Sequence, residues 1–238
     1  MKIWLIAAIF IAGSLAASAQ EKVITAAEYS AAVSAAERSM YGGTHGPVRQ
    51  SMETEVLNEG RPETDYRLKS LTLIVPGQGN HRMEDRSFGG KPSRSETISI
   101  NKRSFSRDAA GTWKEIFPKA EASNEPPKSP APAAQTADSQ TEYKYLGTET
   151  YADHQVNTYL KTERKKTVNS ATGTTSESDG ITKVRIGVIG DYYRYESNSK
   201  TIANGKPGSV KVLIELVVDP TIKITAPETT DEAVKAIM

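Results

Sequence analysis

Three histidines are the residues of this chain best suited to bind a metal ion or to transfer a proton near neutral pH. His45, His81 and His154 lie far apart in the sequence, each in a polar, turn-like context without a second ligand at a metal-binding spacing. The chain contains no cysteine, which excludes thiolate zinc sites, structural disulfides and a lipid-modified cysteine. We therefore predict that the protein binds no metal ion and no cofactor.

Nucleophiles and acid–base pairs give no stronger signal. Serine and threonine are abundant, but none lies in a G-x-S-x-G nucleophile elbow. The pairs Glu53/Glu55 and Glu84/Asp85 could act as general acid and base. In a strand, however, Glu53 and Glu55 would share one face, and a solvent-exposed sheet surface explains them equally well. We predict that the protein is not an enzyme.

Two clusters could instead form a binding surface. Residues 161–166, KTERKK, are the densest basic run, which could contact phospholipid headgroups or an acidic partner, or protect an exposed edge strand from aggregation. Tyr192, Tyr193 and Tyr195 could line a binding surface or pack across neighbouring strands. The formal net charge is only +1, so we predict no nucleic-acid partner. The residues do not indicate an oligomeric state.

The element that must position such a surface is a β-sheet. In residues 209–227 every even position is apolar, whereas the odd positions include Lys211 and Glu215. Successive side chains of a strand project from opposite faces, so this alternation predicts a long, half-buried antiparallel strand with a bend or bulge at Asp219-Pro220. Lys211 and Glu215 should face away from the core.

Apolar side chains at alternate positions of other segments, together with two aromatic residues that flank a predicted turn, complete the apolar face of this sheet. The residues predicted to form it are Ile98, Ile100, Phe105, Trp113, Val184, Ile186, Val212, Ile214 and Leu216. In a binding protein these side chains would contact the ligand. In a closed core they would contact one another and the helix predicted below.

The N-terminal segment has the features of a secretory signal peptide: Lys2, an apolar run at 3–11 and small residues up to Ala19. The run is shorter than the about 18–20 residues that span a bilayer. We predict cleavage after Ala19 and a soluble protein secreted to the periplasm. The predicted segments are the signal peptide 1–19, an N-terminal half 20–117, a Pro/Ala-rich flexible linker or flap 118–140, a C-terminal half of the same sheet 141–227 and a tail 228–238.

One helix and a series of strands follow from the local pattern. Thr25 and Glu28 form a capping-box pattern, and apolar spacing predicts a helix over 26–40 that ends at Gly42-Gly43, where a left-handed glycine can close it. Strands are predicted at 66–75, 80–88, 96–100, 104–107, 112–117, 143–148, 155–168, 182–189 and 192–199, with a polar loop at 169–180. The predicted fold class is mainly β (α+β), a strongly curved antiparallel sheet or incomplete barrel with one N-terminal helix packed on it.

Three stretches resemble a known family. Residues 104–116 (SFSRDAAGTWKEI), residues 145–149 (YLGTE) with the strand at 156–160, and residues 219–227 (DPTIKITAP) are similar to pieces of the periplasmic lipoprotein-carrier superfamily, the LolA/LolB-like half-barrels. The resemblance implies an incomplete barrel around a helix, a concave apolar face suited to acyl chains, and a role in outer-membrane biogenesis. It assigns no functional role to any single residue of this chain.

Two classes of function are compatible with these features. The first is a non-enzymatic periplasmic binding protein that carries lipid or a lipidated protein in an apolar concave face, with possible peripheral contact to a membrane. The second is a cell-envelope scaffold or protein-interaction module with a filled core. A large, continuous apolar cavity would favour the first class, and side chains packed at ordinary protein density would favour the second.

Overall fold

The computed structural model describes residues 21–42, 45–108, 111–116, 135–169 and 173–227. In these ranges the chain forms a helix α1 (Ala26–Tyr41), a single turn of 3-10 helix (Pro62–Thr64) and one antiparallel sheet of twelve strands. The strands are β1 (Lys22–Val23), β2 (Val48–Asn58), β3 (Tyr66–Val75), β4 (Gly79–Phe88), β5 (Lys91–Ile100), β6 (Arg103–Asp108), β7 (Lys114–Ile116), β8 (Gln135–Tyr151), β9 (His154–Asn169), β10 (Thr175–Gly187), β11 (Tyr192–Ala203) and β12 (Lys206–Val218).

Two meanders build the sheet. Strands β2 to β7 pair in sequence order, as do β8 to β12, and β12 pairs with β2 to join them into one sheet. Strand β1 adds to β8 at the far edge. The sheet is curved and open, and it carries one packed helix, so the predicted fold class is confirmed. Short connections between neighbouring strands favour this meander topology.

Helix α1 begins at the predicted capping box. The Thr25 hydroxyl accepts a hydrogen bond from the Glu28 amide at 3.1 Å, and the Glu28 carboxylate accepts one from the Thr25 amide at 2.7 Å. The helix ends at Gly42, within the predicted pair, and Gly42 donates its amide to the Arg38 carbonyl. Left-handed closure at Gly42 is wrong, because its φ is −72°, in the right-handed region. Gly43, the other glycine of the predicted pair, lies outside the described residues.

The sheet buries apolar side chains on both faces. The first cluster, which we call the helix core, consists of Met40, Val48, Val184, Tyr193 and Leu216, against which helix residues Tyr29, Val33 and Ala36 pack. The second, which we call the closing core, consists of Ile98, Ile100, Phe105 and Ile224, with Val75, Trp113 and Ile222 beside it.

Strand register places these two cores on opposite faces. Residues that pair across neighbouring strands project from the same face. Ile98 pairs with His81, His81 with Leu73, Leu73 with Arg49, and Arg49 with Val217. Val217 is the neighbour of Leu216, and adjacent residues of a strand project from opposite faces. We call the two sides of the sheet the helix face and the opposite face.

The segment that covers the closing core is the end of the predicted long strand. Strand β12 stops at Val218, so the prediction of strand over 219–227 is wrong. Asp219 accepts hydrogen bonds from both the amide and the hydroxyl of Thr221, and this turn, with Pro220 inside it, redirects the chain. Ile222 and Ile224 then reach the closing core, and the Gln78 amide donates to the Ile224 carbonyl at 3.0 Å.

Three strands begin well before their predicted starts. Strand β5 starts at Lys91 rather than at residue 96. Strand β8 starts at Gln135, inside the predicted linker 118–140, and β10 starts at Thr175, inside the predicted loop. Polar composition suggested coil there, but β9 and β10 pair their charges: Arg164 with Asp179 at 2.9 Å and Lys166 with Glu177 at 2.8 Å. Because β9 lies between β8 and β10, the edge-protection explanation of residues 161–166 is also wrong. The predicted signal peptide 1–19, residues 118–134 of the linker and the tail 228–238 lie outside the described residues.

Candidate functional site

The nine predicted apolar-face residues separate into two groups. Val184, Ile186, Ile214 and Leu216 belong to or pack against the helix core, and half-buried Val212 shares their face of β12. The other four, Ile98, Ile100, Phe105 and Trp113, belong to or pack against the closing core on the opposite face. Phe105 and Trp113 do lie in one cluster, as expected. No single ligand can contact both groups, because the sheet separates them.

The helix core is filled by side chains of the protein itself. Met40 and Tyr193 are 2% exposed, Val48 is 1% exposed, and Val184 and Leu216 are 0% exposed. Tyr193 donates its hydroxyl to Glu37 of the helix at 3.0 Å. Helix α1 therefore occupies the space that an acyl chain would need on this part of the sheet.

Tyrosine rings complete the packing beneath the helix. The Tyr29 ring centroid lies 5.0 Å from that of Tyr143 and 6.4 Å from that of Tyr159. Burial raises the pKa of Tyr29 to about 12, and neighbouring tyrosines and Glu37 add to the effect. Tyr193 and Tyr195 belong to this group, whereas Tyr192 projects from the opposite face. The predicted tyrosine cluster is thus split by strand alternation.

A network of ion pairs lies on the opposite face of β8–β12. Arg185, only 8% exposed, donates to Glu149 at 3.1 Å and to Glu196 at 3.2 Å. Arg194 donates to Glu196 at 2.6 Å and to Glu215 at 3.0 Å. Each arginine is thus shared between two carboxylates, so this network stabilises strand pairing.

Hydrogen bonds hold two acids of this network, Glu149 and Glu196, in their charged form. The Thr158 hydroxyl donates to Glu149 at 2.7 Å, and this bond, aided by Arg185, outweighs burial and lowers the pKa of Glu149. At Glu196, burial acts to raise the pKa, but hydrogen bonds and charge from Arg194 and Arg185 lower it overall. A general acid at neutral pH needs a raised carboxyl pKa, which is the reverse of this arrangement.

Each histidine has a side-chain partner. His154 Nδ1 lies 2.9 Å from Asp191 Oδ2, and its ring stacks on Tyr192 with centroids 4.6 Å apart. His81 Nε2 lies 2.5 Å from Glu96, and His45 Nε2 lies 2.8 Å from the Ser39 hydroxyl. In the described part of the chain no three His, Asp or Glu residues are grouped so as to hold a metal ion.

Open grooves lie on the opposite face. One, of about 680 Å³, is lined by residues that include Thr162, Ile181 and Asn198, and another, of about 670 Å³, by residues that include Lys69 and Leu213. Neither is lined by a residue of the helix core or of the closing core. These grooves are therefore surface features and do not extend into the apolar interior.

The helix face of β4 carries a cluster that sequence reasoning missed. Arg82, Glu84 and Arg86 alternate along the strand and so project from one face, where both arginines contact the central carboxylate. The pattern R-x-E-x-R within a predicted strand is the signal that could have identified it. Strand alternation separates Glu84 from its sequence neighbour Asp85, which projects from the other face, so the pair Glu84/Asp85 does not share one side of the sheet.

No protein-family model matches the chain, and a search of curated proteins finds no match. The resemblance to lipoprotein carriers therefore stays a prediction. No helix within the described ranges is long and apolar enough to cross a membrane. The function of the protein must be inferred from its fold and its surface chemistry.

Proposed function

We propose that the protein is a non-enzymatic binding module of the periplasm, with a filled core and with binding surfaces on the outside of its sheet. The observation that carries this proposal is the burial of Val48, Val184 and Leu216 in one cluster with Met40 of helix α1, where each is at most 1% exposed. Interiors packed by their own side chains leave no room for a guest of acyl-chain size. Partners must then be bound at the exposed surfaces of the sheet.

Carriage of lipid or a lipidated protein is a second candidate, because one observation favours it. The helix residues that face the sheet, Tyr29, Val33 and Ala36, are only partly buried. A helix that moved away would uncover an apolar, tyrosine-lined surface. Lipid carriage therefore requires α1 to act as a lid.

Native mass spectrometry and solvent extraction of protein purified from its own cell envelope separate the two candidates. We expect the mass of the polypeptide alone and no co-purified lipid. Lipid bound at one molecule per protein would contradict the filled-core proposal and support carriage.

A variant of the helix cap tests the lid directly. Thr25→Ala removes the capping box and should weaken the helix by about 1 kcal/mol. Thr64→Ala is the matched control, because the Thr64 hydroxyl lies far from α1 and donates to the Arg61 carbonyl within the 3-10 turn. If α1 is a lid, Thr25→Ala should increase uptake of a fluorescent fatty acid while Thr64→Ala does not. We expect neither variant to take it up.

A further inference from the structure

The helix face of β3–β6 differs in chemistry from the part of that face that the helix covers. Helix α1 packs chiefly on β8, β10 and β11. Ile214, which packs against the helix core, pairs with Met52, Met52 pairs with Ser70, and Ser70 pairs with Glu84, so Glu84 lies on the helix face. The same face of the sheet therefore changes from apolar under the helix to hydroxyl-rich and charged on β3–β6.

Glu84 is the buried centre of this surface. The residue is 7% exposed, and one carboxylate oxygen, Oε2, accepts hydrogen bonds from Arg86 and, at 3.5 Å, from Ser95. The other oxygen, Oε1, forms an ion pair with Arg82, yet no hydrogen bond from a described residue reaches it. Oε1 is itself inaccessible to solvent, so the ion pair with Arg82 satisfies it and the two arginines hold the carboxylate between them.

The two arginines are held in place by Glu84 and still have N–H donors that Glu84 does not engage. Their side chains are 45% and 50% exposed, and both guanidinium groups converge on the single Glu84 carboxylate. A guanidinium has five N–H donors, and the contacts to Glu84 engage only a fraction of them. Arg82 and Arg86 therefore present fixed, outward-facing donors with a net positive charge, a geometry that suits bidentate binding of a carboxylate.

Hydroxyl groups and an aromatic pair surround the arginines. Cross-strand partners place Thr72 and Thr97 beside Arg82, Ser70 and Ser95 beside Glu84, and Ser93 together with the apolar Leu68 beside Arg86. One residue pair further along, Tyr66 lies opposite Phe88, whose side chain is 60% exposed. Hydroxyls both donate and accept hydrogen bonds, and an exposed ring offers a flat apolar surface.

Charge on this surface favours an acidic ligand. The charged residues that register places on the helix face of β3–β6 are three cations, Arg82, Arg86 and Lys91, and two acids, Glu84 and Asp108. At the centre of the surface two arginines share the single carboxylate of Glu84, so this centre carries a net positive charge. Its many hydroxyls suit a hydroxyl-rich polymer better than an acyl chain or a nonpolar peptide.

We propose that the helix face of β3–β6 binds a polysaccharide that carries carboxylate groups. Arg82 and Arg86 bind a carboxylate of the polymer, the neighbouring serines and threonines bind its hydroxyls, and Phe88 packs against a sugar ring. This proposal deepens the proposed function by naming the ligand class of one surface, and it rests on that function.

Titration calorimetry of the full chain with three polymers tests the proposal: oligogalacturonate, neutral dextran and polyglutamate. We expect binding of oligogalacturonate that weakens with salt, since exposed charge pairs are screened, and no binding of the other two. Absence of oligogalacturonate binding would overturn the proposal. Equal binding of polyglutamate would also overturn it, because acidity alone would then be recognised. Neither result would affect the lipid measurement that tests the filled core.

Variants locate the site. Arg86→Gln should weaken oligogalacturonate binding by about tenfold, the effect of losing one charge-assisted bidentate contact. Arg67→Gln is the matched control, because Arg67 lies on neighbouring β3 but pairs with Glu55 on the opposite face. Phe88→Ala removes an exposed ring and should weaken binding without changing the denaturation midpoint. The site is wrongly placed if Arg67→Gln weakens binding as much as Arg86→Gln, or if Phe88→Ala leaves it unchanged.

Discussion

Truncation of Leu216 measures directly whether the helix core is filled. Leu216 is 0% exposed and contacts a cluster contributed by α1, β2, β10 and β11. Leu→Ala substitutions in well-packed cores cost about 2–5 kcal/mol, and the cost rises with the volume of the cavity left behind. Because the cluster includes side chains from both layers, collapse around the cavity should be limited. We expect Leu216→Ala to cost about 3–4 kcal/mol of unfolding free energy.

Leu213→Ala is the matched control. It is the same chemical change on the same strand, but Leu213 is only half-buried and lines a groove on the opposite face. Urea denaturation followed by circular dichroism gives both values, and we expect Leu213→Ala to cost about 1 kcal/mol or less. A larger cost for Leu213→Ala would refute the assignment of faces. A cost of under about 1 kcal/mol for Leu216→Ala would refute the filled core.

Three further predictions concern pH and the closing core. Burial, reinforced by Glu37, raises the pKa of Tyr193 above 10.0 in the folded state. The stability that Tyr193 contributes is therefore complete below pH 10 and is lost as the pH rises through the folded pKa. Tyr193→Phe should remove this alkaline loss from a pH series of urea midpoints. The pKa of Glu149 is lowered below 4.5, so its stabilisation is present above pH 4.5 and lost as pH falls through the folded pKa, and Glu149→Gln should make the acid loss shallower in the same series. Ile224→Ala should cost about 2–5 kcal/mol and shift the fluorescence of Trp113, whereas exposed Lys223→Ala should do neither.

Local sequence patterns were sufficient to predict an element where its alternation and the turn residues that bound it lie within it or directly beside it. Strand β3 matches its predicted limits, because an apolar run lies between two Gly/Pro turns. On β12, Ile214 and Leu216 face the helix core, as the even positions predicted. Helix α1 also matches, because its cap bonds and the spacing of Tyr29 and Val33 are local properties.

The remaining features of the fold depend on pairing between strands, which local sequence patterns do not reveal. The first residues of β8 and β10 are polar and become strands because β9 lies between them and pairs with both. The side of the sheet to which Ile98 belongs depends on the register of every intervening strand, and a shift by one residue would reverse it. Likewise, Ser70 and Ser95 become neighbours of Glu84 only through pairing of β3, β4 and β5.

The sheet buries apolar side chains on one face of its C-terminal meander and on the opposite face of its N-terminal meander. This arrangement limits where a binding surface can lie. Helix α1 covers the C-terminal meander on one face, and residues 219–227 cover part of the N-terminal meander on the other. A thin sheet covered in this way leaves two charged regions outside its apolar cores. One holds Arg185 and Arg194, whose charges are met by carboxylates of the protein itself. The other holds Arg82 and Arg86, which share one carboxylate and have N–H donors that this carboxylate does not engage. A ligand therefore gains the most from binding in this second region.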